Sequence, residues 1–237
     1  MTLATLRRRA TYPGYEMRPR VLVACEYSGR VRDAFIAQGC EAVSCDLLPS
    51  EAPGPHFQGD VFDLFDQHWD LMVAFPPRTY LCSSGMHWTT RGLRDPQLTE
   101  DALAFVQQLL DAPIDRIALE NPVGAISTRI RKPDCRIQPW QFGHPEQKQT
   151  CLWLKNLPVL SPTCVLEKPA SGYWDNQTPS GQNRLGPSKD RWKERSRTYQ
   201  GIADAMATQW APLLPKAVTE LPGPTRLAEM LSFGAAA

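Results

Sequence analysis

Long apolar runs are missing from this 237-residue chain. No stretch approaches 18 consecutive apolar residues, and the first nineteen residues, which include Arg7, Arg8 and Arg9, hold no apolar block. Membrane-spanning helices and a secretory leader are therefore not expected, and the reading is an unexported, cytoplasmic protein. Cysteines at metal or redox spacing are missing too. The seven cysteines, at 25, 40, 45, 82, 135, 151 and 164, include no Cys-x-x-Cys, and no His/Cys run has zinc-finger spacing, so reduced thiols and no metal are expected. A charge excess of either sign is also absent. With 26 basic and 25 acidic residues the formal net charge is +1. No global field draws such a chain onto a polyanion, so any affinity for nucleic acid has to come from local clusters. There is no internal repeat.

What is present suffices for one main domain. At 42% apolar content the chain can bury a sizeable core, but it is too short for two full domains with linkers. The 22 prolines exceed the roughly 12 expected at about 5% usage and concentrate after position 133, which predicts a loop-rich second half. The expected organisation is a mobile basic arm over 1–19, a domain over 20–211 with a short insertion at about 155–190, and a Pro-rich tail over 212–237 that includes an amphipathic piece at 226–232.

Hydrophobic spacing gives the elements. Arg20 to Glu26 reads as a strand ending at the turn Ser28-Gly29, and Val31, Ala34, Phe35 and Gln38 then follow helical spacing to Gly39. Glu41 to Asp46 is a second strand, Phe57 to Asp60 a third segment, and Trp69 to Phe75 another strand. A helix is predicted from about Leu98 to Leu110, with one stripe at 103, 106, 109 and 110. Strands at 116–120 and 150–154 and a helix at 198–210 follow, the helix with apolar positions 202, 205, 206 and 210. Strands alternating with helices imply an α/β fold with a mostly parallel sheet and helices on both faces. Ligands in such sheets bind beyond the carboxyl ends of the strands.

The chemistry-bearing residues lie at those ends. A strand, a Gly-containing turn and a helix make Cys25, Glu26, Tyr27, Ser28 and Gly29 a plausible adenosine-cofactor site. Asp46, about twenty residues past the turn and followed by Leu47, stands where a ribose-binding acid belongs, and Asp60 would suit an adenine amine. Phe75-Pro76-Pro77-Arg78 closes one strand, and Glu120-Asn121-Pro122 closes the next.

These two tracts resemble the Pro-Cys and Glu-Asn-Val motifs of DNA cytosine carbon-5 methyltransferases in their compact phage and prophage form. The likeness runs from about Val21 to Trp210 and takes in Gln147 to Thr150, similar to the family's basic strand but with Lys148 where arginine is commoner. It also takes in Tyr199-Gln-Gly-Ile-Ala-Asp204, similar to its closing helix. The resemblance implies a Rossmann-like methyltransferase fold and S-adenosylmethionine as cofactor, with Cys25 to Gly29, Asp46, Leu47, Asp60, Phe75, Pro76 and Asp204 around it. It further implies double-stranded DNA as partner, a base flipped out of the duplex, a thiolate that adds to cytosine carbon 6, and Glu120 as the acid on the ring nitrogen. Asn121, Pro77 and Lys148 would shape the base pocket.

Arg78 stands where that family has its nucleophilic cysteine. A guanidinium keeps its proton and has no lone pair for carbon 6. Four readings follow. The chain is a natural non-catalytic homologue that binds DNA or a partner, or one whose nucleophile has been replaced; Cys82, four residues on, is a relocated thiolate helped by Arg78; or the fork of donors takes a carboxylate or phosphate of an anionic cofactor derivative or modified base. An exocyclic-amine methyltransferase would use a Pro-Pro-aromatic motif, for which Tyr80 comes two places too late.

The stretch from Lys155 to Pro187 is too short for an independent recognition domain. Tyr173, Trp174, Asn176, Gln177, Asn183 and Arg184 there include side chains able to stack and to read base edges. From Arg184 to Arg197 six basic residues (Arg184, Lys189, Arg191, Lys193, Arg195, Arg197) face two acidic ones, the expected phosphate binder around Trp192.

Overall fold

The computed structural model describes residues 18–189 and 191–215. Most of the basic arm and the amphipathic piece at 226–232 lie outside the described residues.

The first half builds β1 (Arg20–Ala24), α1 (Arg30–Ala37), β2 (Glu41–Asp46), β3 (His56–Gln58), a 3-10 turn (Val61–Leu64), β4 (Leu71–Ala74), α2 (Ser83–Thr90) and α3 (Gln97–Leu110). The second half adds β5 (Ile117–Asn121), α4 (Ala125–Arg129), β6 (Cys135–Ile137), β7 (Thr150–Lys155), α5 (Arg191–Ser196) and α6 (Gln200–Trp210). The strands form one sheet in the order β3-β2-β1-β4-β5-β7-β6. Neighbours from β3 to β5 run parallel, whereas β7 is antiparallel to both β5 and β6.

Pleating explains the two cores. Successive side chains of a strand point to opposite faces, so Leu22, Val43, Met72, Ile117 and Trp153 pack on one side with α3, α4 and the 3-10 turn. Val21, Val23, Leu71, Val73 and Leu152 pack on the other side with α1 and α6. Strands buried on both faces need a continuous apolar run, as in Val21-Leu22-Val23-Ala24. The result is the mostly parallel, doubly covered, Rossmann-like α/β sheet expected.

Differences from the sequence reading are local. The segment at 69–75 is strand only over Leu71–Ala74, because Asp70 turns its carboxylate onto the Arg20 amide at 2.7 Å and the Trp69 indole donates to the Leu64 carbonyl. The last described helix starts at Gln200, two residues later than expected, and buries Ile202, Ala205, Met206 and Trp210 as its spacing predicts. Four elements, α2, α4, α5 and β6, had no legible periodicity. They are three to eight residues long, and α2 is built from Ser-Ser-Gly-Met-His-Trp-Thr-Thr, a run of poor helix formers. Between β7 and α5 the described residues contain no helix or sheet strand. Among the described residues no helix is long and apolar enough to cross a membrane.

One buried side chain fastens the loop beside the first turn. Arg32, on α1, is fully buried. It donates to Asp33 at 2.8 Å, to the Ser44 and Ser50 hydroxyls at 3.2 Å each, and to the Pro53 carbonyl at 2.9 Å. A buried cation survives only when its donors are met. Gly29 makes room for it, since a Cβ there would lie 2.4 Å from an Arg32 nitrogen and the backbone has φ +78°. Arg32→Leu is expected to lower stability by about 2 to 4 kcal/mol by leaving several acceptors unmet; an equilibrium urea titration losing less than about 0.5 kcal/mol would show that the loop holds without it.

Candidate functional site

A cleft of about 790 Å³ opens at the carboxyl ends of β1, β4 and β5. One wall is the turn after β1. Cys25 takes a left-handed backbone, φ 57°, and Gly29 precedes α1. Glu26 is buried, accepts the Ser28 hydroxyl and the Arg30 amide (3.0 Å), and lines the cleft. Burial holds its pKa above the usual glutamate range against these donors and Arg32. Its Oε2 is buried with no hydrogen-bond partner among the described residues. Burial, followed by the nearby Asp46, pushes the Cys25 thiol far up, so it stays protonated and is a poor nucleophile.

The opposite wall carries Phe75, Pro76, Pro77, Arg78 and Cys82 from the segment after β4, and Glu120, Asn121 and Pro122 from the end of β5. Two links fix that segment. Asn121 donates from Nδ2 to the Pro76 carbonyl at 2.8 Å, and the Ala125 amide donates to the Leu81 carbonyl at 2.7 Å. The second requires Gly124, where a Cβ would lie 1.9 Å from the Leu81 oxygen. Glu120 accepts the Thr150 hydroxyl at 2.6 Å, made possible by the antiparallel pairing of β5 with β7.

The floor between the walls is cationic. Lys148 is half-buried, donates to the Arg197 carbonyl at 3.4 Å and lies 5.5 Å from the Tyr199 ring centre. Its pKa is lowered, mainly by burial and also by Arg78 and Arg195, although Glu120 pulls the other way. Burial, then Arg78 and Arg191, lower that of Arg195. Tyr199 donates to Glu146 at 2.5 Å. Burial, then Glu146, keep its hydroxyl protonated well above the usual range.

The segment from α5 to Tyr199 lies against the β1 turn. Tyr27 donates to the Lys193 carbonyl at 3.0 Å and shares a hydrogen bond with the Ser196 hydroxyl at 2.8 Å. Arg30 donates to the Thr198 carbonyl at 2.8 Å, and Arg197 forks onto Glu51 at 2.9 and 2.8 Å.

Of the residues singled out from the sequence, the cleft is lined by Cys25, Glu26, Tyr27, Ser28, Phe75, Pro76, Pro77, Arg78, Cys82, Glu120, Asn121, Pro122, Gln147, Lys148, Thr150, Asn176, Gln177, Asn183, Arg184, Arg195, Arg197 and Tyr199, and not by Gly29. Asp46, Leu47, Asp60 and Asp204 do not line it. Asp46 accepts the Leu48 amide at 2.9 Å, Leu47 is exposed, and Asp60 caps the 3-10 turn through the Phe62 amide at 3.0 Å. Both aspartates still lie close enough to Cys25 to raise its pKa. Asp204 is on the exposed side of α6, where Gln200 donates to it.

Two expectations are corrected. Trp174 is 5% exposed and stacked on Trp140, ring centres 5.8 Å apart and 3° from parallel, so it packs the insertion and presents no face to a base. Arg197 has its fork occupied by Glu51, because the segment carrying it folds onto the turn after β1 and the loop that follows β2. Lys189, Arg191 and Lys193 do not line the cleft. Sequence reasoning missed Arg30, Glu51 and Glu146, whose partners lie 50 or more residues away. Among the described residues no group of three or more His, Cys, Asp or Glu could hold a metal ion.

No family model matches the chain, and no curated protein matches it. Among solved structures it is similar to the Entamoeba histolytica methyltransferase EhMeth, at 14% identity and a TM-score of 0.44. That match covers 69% of this chain and 62% of EhMeth, so the chain spans less than two thirds of that protein. The strand order, rather than this likeness, establishes the fold.

Lys148 is open to direct titration. Competitive acylation followed by mass spectrometry should give it a pKa below the ordinary lysine value of about 10.4, and Glu120→Gln should lower it further by removing the carboxylate that holds it up. A Lys148 that titrates in the ordinary range, or ignores Glu120→Gln, would mean that its amine is solvated and remote from the carboxylate.

Proposed function

We propose that the chain is a DNA cytosine carbon-5 methyltransferase homologue that binds S-adenosylmethionine and double-stranded DNA, with its thiol-dependent step disabled at Arg78. The convergence of the Phe-Pro-Pro-Arg segment, Glu120-Asn121 and Lys148 with the Cys25–Ser28 turn in one cleft carries this reading.

The residues fit the cofactor in one definite respect. Glu26 offers a buried carboxylate oxygen without a partner among the described residues, suited to a ligand ammonium such as that of a methionine moiety. When bound, the cofactor supplies an electrophilic methyl group. The chain's own residues do the rest of the work at the base. Glu120 would serve as the acid toward the ring nitrogen, Asn121 fixes the loop that forms one wall, and Lys148 with Arg184 would meet the negative charge of the nucleotide. Arg78 occupies the nucleophile's position without a lone pair to offer.

A second reading has its own observation. Cys82 lines the same cleft, four residues on, within the electrostatic reach of Arg195. A thiol there could add to the ring in place of the missing one, which would make Cys82 the nucleophile.

Three measurements separate these readings. Calorimetry should detect S-adenosylmethionine or its demethylated product binding to the unaltered chain; no heat at all would remove the cofactor assignment. The unaltered chain should leave cytosine in DNA essentially unmethylated by nucleoside mass spectrometry, and Arg78→Cys should switch methylation on. Adding Glu120→Gln to that variant should cut the rate about 10²- to 10⁴-fold, the usual weight of a general acid, while Cys82→Ala should change it little. Activity in the unaltered chain that Cys82→Ala abolishes would establish the second reading instead.

DNA binding should weaken with salt. Replacing Arg191 and Lys193 together should lower the slope of log affinity against log salt by about 2, one unit per phosphate contact. Equal slopes would move the DNA off α5.

A further inference from the structure

The cationic floor has more positive charge than its own carboxylates use. Arg78, Lys148 and Arg195 all line the cleft, and Arg78 lies close enough to both of the others to lower their pKa values. Besides Glu26, three acids line the cleft; Glu120 accepts the Thr150 hydroxyl and Glu146 the Tyr199 hydroxyl, and among the described residues neither these nor Glu194 forms a salt bridge with Arg78, Lys148 or Arg195. Among the described residues the guanidinium groups of Arg78 and Arg195 have no hydrogen bond or salt bridge, whereas Arg197, in the same cleft, is forked onto Glu51. Like charges gathered in a concave site repel one another, so the folded chain pays for the arrangement unless an anion completes it.

The three groups are also held in place. Arg78 sits on the segment tied by Asn121 and Gly124, Lys148 is braced by the Arg197 carbonyl and the Tyr199 ring, and Arg195 is flanked by Ser196 and Arg197, both anchored to the β1 side. Two planar forks and one ammonium present many donors and no acceptor, a set that matches the several oxygens of a phosphate better than the two of a carboxylate.

We infer that Arg78, Lys148 and Arg195 form a phosphate-binding subsite, in which the arginine at the nucleophile's position grips an oxyanion of a nucleotide. This deepens the proposed function and rests on it for the choice of a nucleotide. It does not depend on methyl transfer or on the cofactor.

Calorimetry at low salt tests it with three probes: deoxycytidine 5′-monophosphate, deoxycytidine, and a short DNA duplex. The monophosphate should bind about tenfold or more tightly than the nucleoside, with inorganic phosphate competing. Arg78→Gln and Arg195→Gln should each weaken it about tenfold or more, the range for losing a charged hydrogen bond. Arg116→Gln, a change at an arginine outside the cleft, should stay within about twofold of the parent. Circular dichroism checks that each variant is folded. Dependence on Arg78 and Arg195 seen only with the duplex would still support the subsite and would identify its phosphate as a backbone diester; the same dependence with the monophosphate identifies a terminal monoester. If neither probe binds, or both bind regardless of the two substitutions, the inference is overturned. A protein that binds no S-adenosylmethionine yet keeps this phosphate response would lose the proposed cofactor while retaining the subsite.

Discussion

Five parallel strands buried on both faces leave this chain little room for polar chemistry within the sheet. Every residue of β1 and β4 is buried, and the pleat assigns alternate side chains to two separate cores. Most polar and titratable groups then fall at strand ends and in the loops, and the carboxyl ends of β1, β4 and β5 meet in one place. The cleft is a consequence of that placement. Its acids sit at strand ends because a carboxylate one or two residues earlier would be buried without a partner.

Given the sheet, the cleft is shaped by a small number of tertiary links. On one side Arg32 fastens the Pro49–Pro55 loop to α1, which carries Glu51 to where Arg197 can reach it. On the other, Asn121 and Gly124 bind the loop after β4 to the end of β5. The segment from α5 to Tyr199 then spans both walls, touching Tyr27, Arg30 and Glu51 on one and Lys148 and Glu146 on the other. Basic residues in this segment therefore do different jobs. Arg197 is a latch, Arg195 joins the cationic floor, and Arg191 and Lys193 lie outside the cleft.

The electrostatic balance of the cleft gives Arg78 its meaning. A thiol at this position would be neutral or anionic and would sit comfortably beside two further cations. A guanidinium adds a third positive charge to the same space, and its fixed fork is suited to an oxyanion. On the proposed reading one side chain both withholds a covalent nucleophile and offers a place for negative charge.

Much of this was legible in the chain itself. Apolar, β-branched runs ending in an acid, a glycine or a proline fixed β1, β2, β4, β5 and β7 to within two residues, since a strand buried on both faces needs such a run. The stripes at 103, 106 and 109 and at 202, 205, 206 and 210 fixed α3 and α6 for the equivalent reason in helices. The Phe-Pro-Pro-Arg and Glu-Asn-Pro segments announced their own positions at strand ends. Only the tertiary structure decided which polar side chains were already occupied. Trp174 carries the residue type of a stacking platform and is sealed against Trp140, while Arg197 looks like a phosphate contact and is paired with Glu51, 146 residues away. Local sequence encodes a side chain's chemistry and the periodicity of its segment. Its partner is set by loops that approach one another only after the sheet has formed, and no pattern within a window of the chain contains that information.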